Sequence, residues 1–216
     1  MIRRLMQWLF PPKCMLCGRV LGKHETDLCR ECRSDSPEFP QGKLKLQFVD
    51  SFAAVWYYED NVRKSLLRYK FYRARHLASS FGRFMAMKAS QENPDGVDLV
   101  TWVPISPLRK LKRGYDQDEL LAKAVAQELS CEAVPLLKKI RHNPPQSSIA
   151  GQARRRANVL GAYRCTDEQM IRGKKILLVD DILTTGATVG ECARVLLTAG
   201  ALEVHCVVAA AVRNHK

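Results

Sequence analysis

The stretch Ile176-Leu-Leu-Val-Asp180-Asp181-Ile-Leu-Thr184-Thr185-Gly186-Ala187-Thr188 limits the folds open to this chain more than any other segment. The apolar run ahead of Asp180 has the continuous hydrophobic pattern of a strand buried on both faces of a parallel sheet. Two adjacent carboxylates then stand at its C-terminal end, where open α/β sheets place their ligands. A hydroxyl-rich turn with one Gly leads into helical spacing over Val189-Gly-Glu-Cys-Ala-Arg-Val-Leu-Leu. Such a turn offers backbone N–H groups, threonine hydroxyls and a helix N-terminus to a single phosphate. The carboxylates can accept from vicinal hydroxyls, so the combination suits a sugar phosphate. A buried strand followed by an acidic helix cap is the plainer alternative, but a cap needs only one residue.

The same stretch resembles the 5-phosphoribosyl-1-diphosphate (PRPP) signature of type I phosphoribosyltransferases, with every position acceptably filled.

At 216 residues the chain has room for one ordinary domain and a small appendage. Lys and Arg number 35 against 22 Asp and Glu, a net charge of +13. That balance favours polyanionic partners, nucleic acid among them, although a diphosphate substrate also calls for basic residues. The densest basic run, Arg63-Lys64…Arg68-Tyr-Lys70-Phe-Tyr-Arg73-Ala-Arg75, is interleaved with aromatics. It could track single-stranded DNA by stacking and charge, or form the solvated face of an amphipathic helix. No stretch reaches transmembrane length. Met1 to Phe10 is too short for a secretory signal and ends at Pro11-Pro12, so it reads as a packed helix and the expected location is cytoplasmic.

Four cysteines form two knuckles, Cys14-Met-Leu-Cys17-Gly18 and Cys29-Arg-Glu-Cys32. Paired C-x-x-C units of this spacing can place four thiolates around one tetrahedral ion. Structural Zn²⁺ is the expected metal, with iron–sulfur ligation or two disulfides as alternatives. His24 is then a loop residue, and Cys131, Cys165, Cys192 and Cys206 are small core residues.

Beyond the knuckles, 34–42 reads as a linker and Leu46 to Tyr58 as a strand. Helices are expected over 62–70, 75–89 and 116–130, with strands at 97–103, 133–137 and 203–212. Alternation of this kind predicts a mostly parallel α/β sheet. The expected division is a 1–40 module, comprising an N-terminal helix and the Cys₄ finger, and a 41–216 α/β domain.

Taken in order, C-x-x-C…C-x-x-C, YYEDNVRKSLLRYKF, VPISPLRKLKRGYDQDELLA, RHNPPQSS…ARRRANVLGAY and VDDILTTGAT resemble the ComF family of competence-associated phosphoribosyltransferase-like proteins. The family usually has Asn where this chain has Asp116, and it differs after Gln146 at Ser147-Ser148. The resemblance implies a type I phosphoribosyltransferase fold, PRPP bound with Mg²⁺, and a role in DNA uptake during natural transformation. It implies that Asp180 and Asp181 hold the ribose hydroxyls and that Thr184, Thr185, Gly186, Ala187 and Thr188 form the 5-phosphate loop. Ile105, Ser106 and Pro107 would line the diphosphate loop with Arg113 nearby, and Arg141, Gln146, Arg155 and Asn158 would belong to a closing segment.

A transferase would move phosphoribosyl to an acceptor nitrogen by positioning and charge stabilisation. No hood for an acceptor is recognisable in the sequence. A non-catalytic PRPP-responsive module that handles single-stranded DNA is therefore the alternative, and a third reading makes the Cys₄ module a docking platform for a helicase-like partner.

Overall fold

The structure is a computed structural model and describes residues 11–40, 42, 44–141 and 159–213. Five strands form one all-parallel sheet in the order β1 (Ser51–Tyr57), β7 (Glu203–Ala211), β6 (Lys175–Leu183), β2 (Leu99–Trp102), β3 (Glu132–Ala133). The helices joining them are α2 (Asp60–Phe71), α3 (Leu77–Glu92), α4 (Pro107–Arg113), α5 (Gln117–Leu129), α6 (Glu168–Ile171) and α7 (Ala187–Thr198). The short α1 (Arg30–Asp35) carries the second knuckle, and β4 (Leu137–Lys139) pairs antiparallel with β5 (Tyr163–Cys165) apart from the main sheet. The α/β class read from the alternation is borne out.

Helices cover both faces of the sheet, which is why β6 and β7 lack polar alternation. One layer packs Val62, Leu66, Phe81, Met85, Leu121 and Val125 beneath Val100, Leu177 and Val207. The opposite layer packs Val189, Cys192 and Leu196 of α7 with Leu136 and Ile171 against Ile176, Leu178 and Val208. Each such large apolar side chain contributes about 1.5–3 kcal/mol on burial. Where α3 crosses α5, Gly82 lets the backbones approach so closely that an added Cβ would lie 2.4 Å from Ala124 Cβ.

Three local expectations change. The strand expected from Leu46 begins only at Ser51, because Phe48 adopts a positive φ of 65° and Val49 closes a turn onto the Leu46 carbonyl. The strand expected over 133–137 splits into β3 and β4 around Pro135, which has no N–H to continue a ladder. The expected linker is stitched to the outer edge of β1: Phe39 N–H donates to Val55 O and Tyr57 N–H to Pro37 O. That pairing satisfies an edge that would otherwise be exposed. Residues 1–10, read as a packed helix, lie outside the described residues.

The cysteine module joins the first core layer, where Cys14, Met15, Leu16, Leu28, Cys29 and Cys32 are all buried. Arg68 of α2 donates to the carbonyls of Met15 and Leu16 at 2.8 and 2.7 Å, and Ser65 Oγ donates to Met15 O at 2.5 Å. From the same loop Asp27 accepts from Ser80 and pairs with Arg83 of α3.

Candidate functional site

Chain order runs outward from β2 to β3 and returns on the other side of β2 to β6. This reversal splays the connections apart and opens a crevice at the strands' carboxyl ends. A cleft of about 430 Å³ lies there, lined among others by Lys70, Ile105, Arg109, Arg113, Asp118, Lys139, Asp180, Asp181 and Thr184 to Thr188.

The acids sit inside β6 rather than beyond its end. Trp102, the last residue of β2, pairs with Val179, while β7 continues opposite Asp180 to Leu183. One neighbour has therefore stopped where the acids begin, and the cleft takes its place. After Leu183 the chain turns through Thr184 and Thr185 into Gly186, the N-cap of α7, at φ 74°. That left-handed conformation suits Gly, and an added Cβ would also lie 2.8 Å from Leu46 Cδ2. Gly186 offers no side chain to cap α7, so the helix's first N–H groups remain for a ligand or water.

The cluster around the acids is larger than the sequence suggested. Lys70 Nζ lies 2.8 Å from Asp181 Oδ2, and both side chains are largely buried. Asp118, in the first turn of α5, brings a third carboxylate; one oxygen from each of Asp118, Asp180 and Asp181 falls within 4.8 Å of the others. Gln117 Nε2 donates weakly to Asp118 and Asp181 at 3.5 Å, while Arg113 Nη1 donates to Gln117 Oε1 at 2.7 Å. The buried Tyr69 hydroxyl donates to Gln117 O at 2.6 Å, tying α2 to the start of α5.

Burial, reinforced by the Asp181 charge, lifts the Asp180 carboxyl to about 7. Burial and the other two acids push Asp118 well above the ordinary carboxylate range. Burial alone would lower Lys70, but Asp181 beside it outweighs that and raises it. Across the cleft, burial and then Arg109 lower Lys139, whose Nζ lies 3.2 Å from the Tyr163 hydroxyl.

Of the expected diphosphate loop, Ile105 lines the cleft, Ser106 is buried as the N-cap of α4, and Pro107 is exposed at the helix start. Asp116 anchors that loop: Oδ2 accepts from Ile105 N–H at 3.3 Å while Oδ1 caps α5 through the N–H groups of Asp118 and Glu119. Arg113 lines the cleft with its guanidinium 5.4 Å over the Phe71 ring. Arg141 is exposed and donates to Leu160 O at 3.4 Å, outside the cleft lining. Gln146, Arg155 and Asn158 lie outside the described residues.

Asp118, Lys70, Gln117 and Lys139 also line the cleft, although no sequence motif marks them as site residues. For Asp118 a signal existed. Leu121, Ala122 and Val125, spaced at i+3, i+4 and i+7 from it, are fully buried, which puts a carboxylate in an apolar stripe. For Lys70, membership in a basic run hid its position. That run divides its work: Arg63 and Lys64 are exposed, Arg68 grips the knuckle, Lys70 enters the cleft, and Arg75 stacks 4.2 Å over Tyr115.

The four cysteine sulfurs at the other site lie within 4.8 Å of one another, and Cys17 Sγ is 3.7 Å from Cys29 Sγ. Tetrahedral zinc thiolates with ~2.3 Å bonds place sulfurs about 3.8 Å apart, so the donor set fits. Burial raises the Cys14 thiol, yet the backbone N–H groups of Cys17, Cys29 and Leu16 outweigh it and hold Cys14 down at about 7. Gly18, at φ 81°, makes the turn after the first pair. His24 is exposed, Cys192 and Cys206 are buried, and Cys131 and Cys165 are half-buried. Among the described residues no helix is long and apolar enough to cross a membrane.

Two domain-family models match parts of the chain. The phosphoribosyl transferase domain model matches residues 119–216 and the double zinc ribbon domain model matches 5–43. With the cysteine cluster, the latter supports structural zinc. The DNA utilization protein YhgH of Escherichia coli O157:H7 is 28% identical over 200 residues, covering 88% of this chain and 86% of that protein. Competence protein ComFC of Bacillus subtilis is 28% identical over 187 residues, covering 87% of this chain and 72% of the relative. Competence protein F of Haemophilus influenzae is 22% identical over 199 residues, covering 89% and 82%. Among solved structures, the glutamine PRPP amidotransferase of B. subtilis overlaps 66% of this chain and 30% of its own at 22% identity, with a TM-score of 0.46. The chain is a homologue of the ComF, ComFC and YhgH proteins, joining a double zinc ribbon to a phosphoribosyl transferase domain.

Proposed function

We propose that this protein binds PRPP with Mg²⁺ and transfers its phosphoribosyl group to an acceptor nitrogen, in a cell process that handles DNA. One observation carries the reading: adjacent acids, a hydroxyl-rich turn opening on a helix N-terminus, and basic side chains meet in one cleft at the sheet's switch point. Asp180 and Asp181 accept from the ribose hydroxyls. Thr184, Thr185, Gly186, Ala187 and Thr188 cradle the 5-phosphate, where the free N–H groups of α7 favour negative charge. Ile105, Ser106 and Pro107, with Arg109, Arg113 and Lys139 nearby, receive the diphosphate. Arg141, Gln146, Arg155 and Asn158 belong to the segment that closes over it. A zinc-stabilised 1–40 module then supports a 41–216 catalytic domain.

In the transfer, the acceptor nitrogen forms a bond to C1 as the C1–O bond breaks, and diphosphate leaves with the electron pair. Mg²⁺, when bound, neutralises diphosphate oxygens. The protein's part is positioning and fixed charge, which needs no nucleophilic side chain. The relatives named for competence and DNA utilization support a DNA-linked setting.

Isothermal titration with PRPP and Mg²⁺, beside diphosphate release with candidate acceptors, tests this. Saturable binding that Asp181→Asn weakens at least about tenfold is expected; no binding by the wild type sinks it. A second reading, non-catalytic handling of single-stranded DNA, draws on the exposed Phe71 and Tyr72 rings beside exposed Arg73. It requires affinity for oligonucleotides that falls with salt.

A further inference from the structure

The cysteine module holds a reactive position as well as a structural one. Cys14, Cys29 and Cys32 are buried, whereas Cys17 is exposed. A sulfur that ligates a metal is a thiolate, and a thiolate open to solvent is the form that oxidants attack. The buried sulfurs are shielded, and two of them also carry donors. Cys29 Sγ accepts from Cys32 N–H at 3.5 Å, and Cys32 Sγ receives a 3.9 Å contact from Asn61 Nδ2.

A partner for an oxidised Cys17 is already in place. Its Sγ lies 3.7 Å from Cys29 Sγ, and a disulfide brings such a pair to about 2.05 Å. Cys17 ends a turn that Gly18 completes at φ 81°, while Cys29 is fixed as the N-cap of α1, so the first sulfur is the one placed to move. Met15 and Leu16 stand just before it, and their carbonyls take the Ser65 and Arg68 hydrogen bonds. With Asn61 these two residues recur at i, i+4 and i+7, so one face of α2 rests on the module. Lys70, which pairs with Asp181 in the cleft, follows on the same helix.

We propose that Cys17 is an oxidation site through which a hydroperoxide strips the module of its metal and loosens α2. The Cys17 thiolate attacks one peroxide oxygen: an S–O bond forms and the O–O bond breaks. Sulfur is oxidised by two electrons, and the departing oxygen leaves with the electron pair and takes up a proton. The Cys29 thiolate then attacks the sulfenic sulfur, forming the S–S bond as hydroxide leaves and is protonated to water. Two of the four thiolates are consumed, and the two that remain do not make a closed tetrahedral zinc site. The inference rests on the zinc site and not on what the cleft binds.

The test uses the full zinc-loaded chain and hydrogen peroxide, with zinc release read by a colorimetric chelator. About one zinc per chain should appear as two thiols are lost, and a thiol reductant with added zinc should reverse both. Peptide mapping without reduction should find Cys17 joined to Cys29. At limiting peroxide, a 1,3-diketone probe for sulfenic acid should label Cys17 before any other cysteine. Amide exchange across 60–71 should accelerate on oxidation. Cys17→His, which replaces the reactive sulfur with another zinc ligand, should keep its zinc under the same exposure. Mapping and probe are read on the wild type, so they decide the question even where the variant fails to load zinc. Zinc retained in excess peroxide, a first label on Cys131 or Cys165, or a Cys14–Cys17 bridge in place of Cys17–Cys29 would each overturn the proposal. Equal zinc loss from Cys17→His, or release with unchanged exchange in α2, would do the same.

Discussion

Lys70 Nζ and Asp181 Oδ2 lie 2.8 Å apart at the foot of the cleft, joining the end of α2 to the middle of β6. The pair brings together a residue from the basic run and one from the acidic motif. It is also asymmetric: Lys70 is the cation of a cluster containing three carboxylates.

That asymmetry predicts unequal costs. Lys70→Met leaves Asp181 without its ion-pair partner and should destabilise the protein by about 3 kcal/mol, the scale for breaking a buried pair. Asp181→Asn leaves Lys70 beside Asp118 and Asp180 and should cost about 1 kcal/mol or less. Urea denaturation of both variants and of the double mutant checks this; equal losses in the single mutants would contradict it.

Zinc loss should reach the cleft through α2. Arg68 and Ser65 hold the knuckle carbonyls, and Lys70 follows on the same helix. Mutating Cys14 and Cys17 together to Ser should abolish an otherwise stoichiometric zinc content of about one per chain. Amide exchange across 60–71 should then accelerate relative to β6 and β7. Metal analysis and exchange mass spectrometry decide it, and zinc loss with unchanged exchange in α2 would refute the coupling.

Gly82→Ala should destabilise by about 1–3 kcal/mol, because α3 and α5 must separate to admit the methyl group. The added Cβ would meet Ala124 Cβ at 2.4 Å and its carbonyl carbon at 2.9 Å, and backbone cannot rotate aside as a side-chain tip does. Thermal or chemical denaturation gives the answer, with a neutral outcome counting against this packing.

Glu191 supplies a pH test. It accepts from Gly161 N–H at 2.8 Å and from Arg194 at 2.9 Å. Burial would raise this carboxyl, but Arg194 and the Gly161 N–H outweigh burial and hold it below its usual 4.5. A depressed carboxyl stabilises the fold above its unfolded value and loses that contribution as pH falls through its folded value. Glu191→Gln should therefore cost about 1–2 kcal/mol at neutral pH, and the gap to wild type should narrow below pH 4.5. A pH-independent difference would show that charge is not what Glu191 contributes.

Periodicity and motif order determined much of this protein. The buried runs of β6 and β7 identify a parallel sheet covered on both faces, and the knuckle spacing identifies one four-sulfur site, because both are local patterns. The acidic pair and threonine turn were legible for the same reason. Tertiary structure alone decided who joins them. Asp118 looks like an ordinary helix-start acid and Lys70 like one of several solvated cations until α5 and α2 dock on β6. Asp116 opens the helix expected over 116–130, and only packing shows that its Oδ2 secures the Ile105 loop. Charge and hydrogen bonding between residues far apart in sequence depend on helix placement to within an ångström or so, which no local pattern encodes.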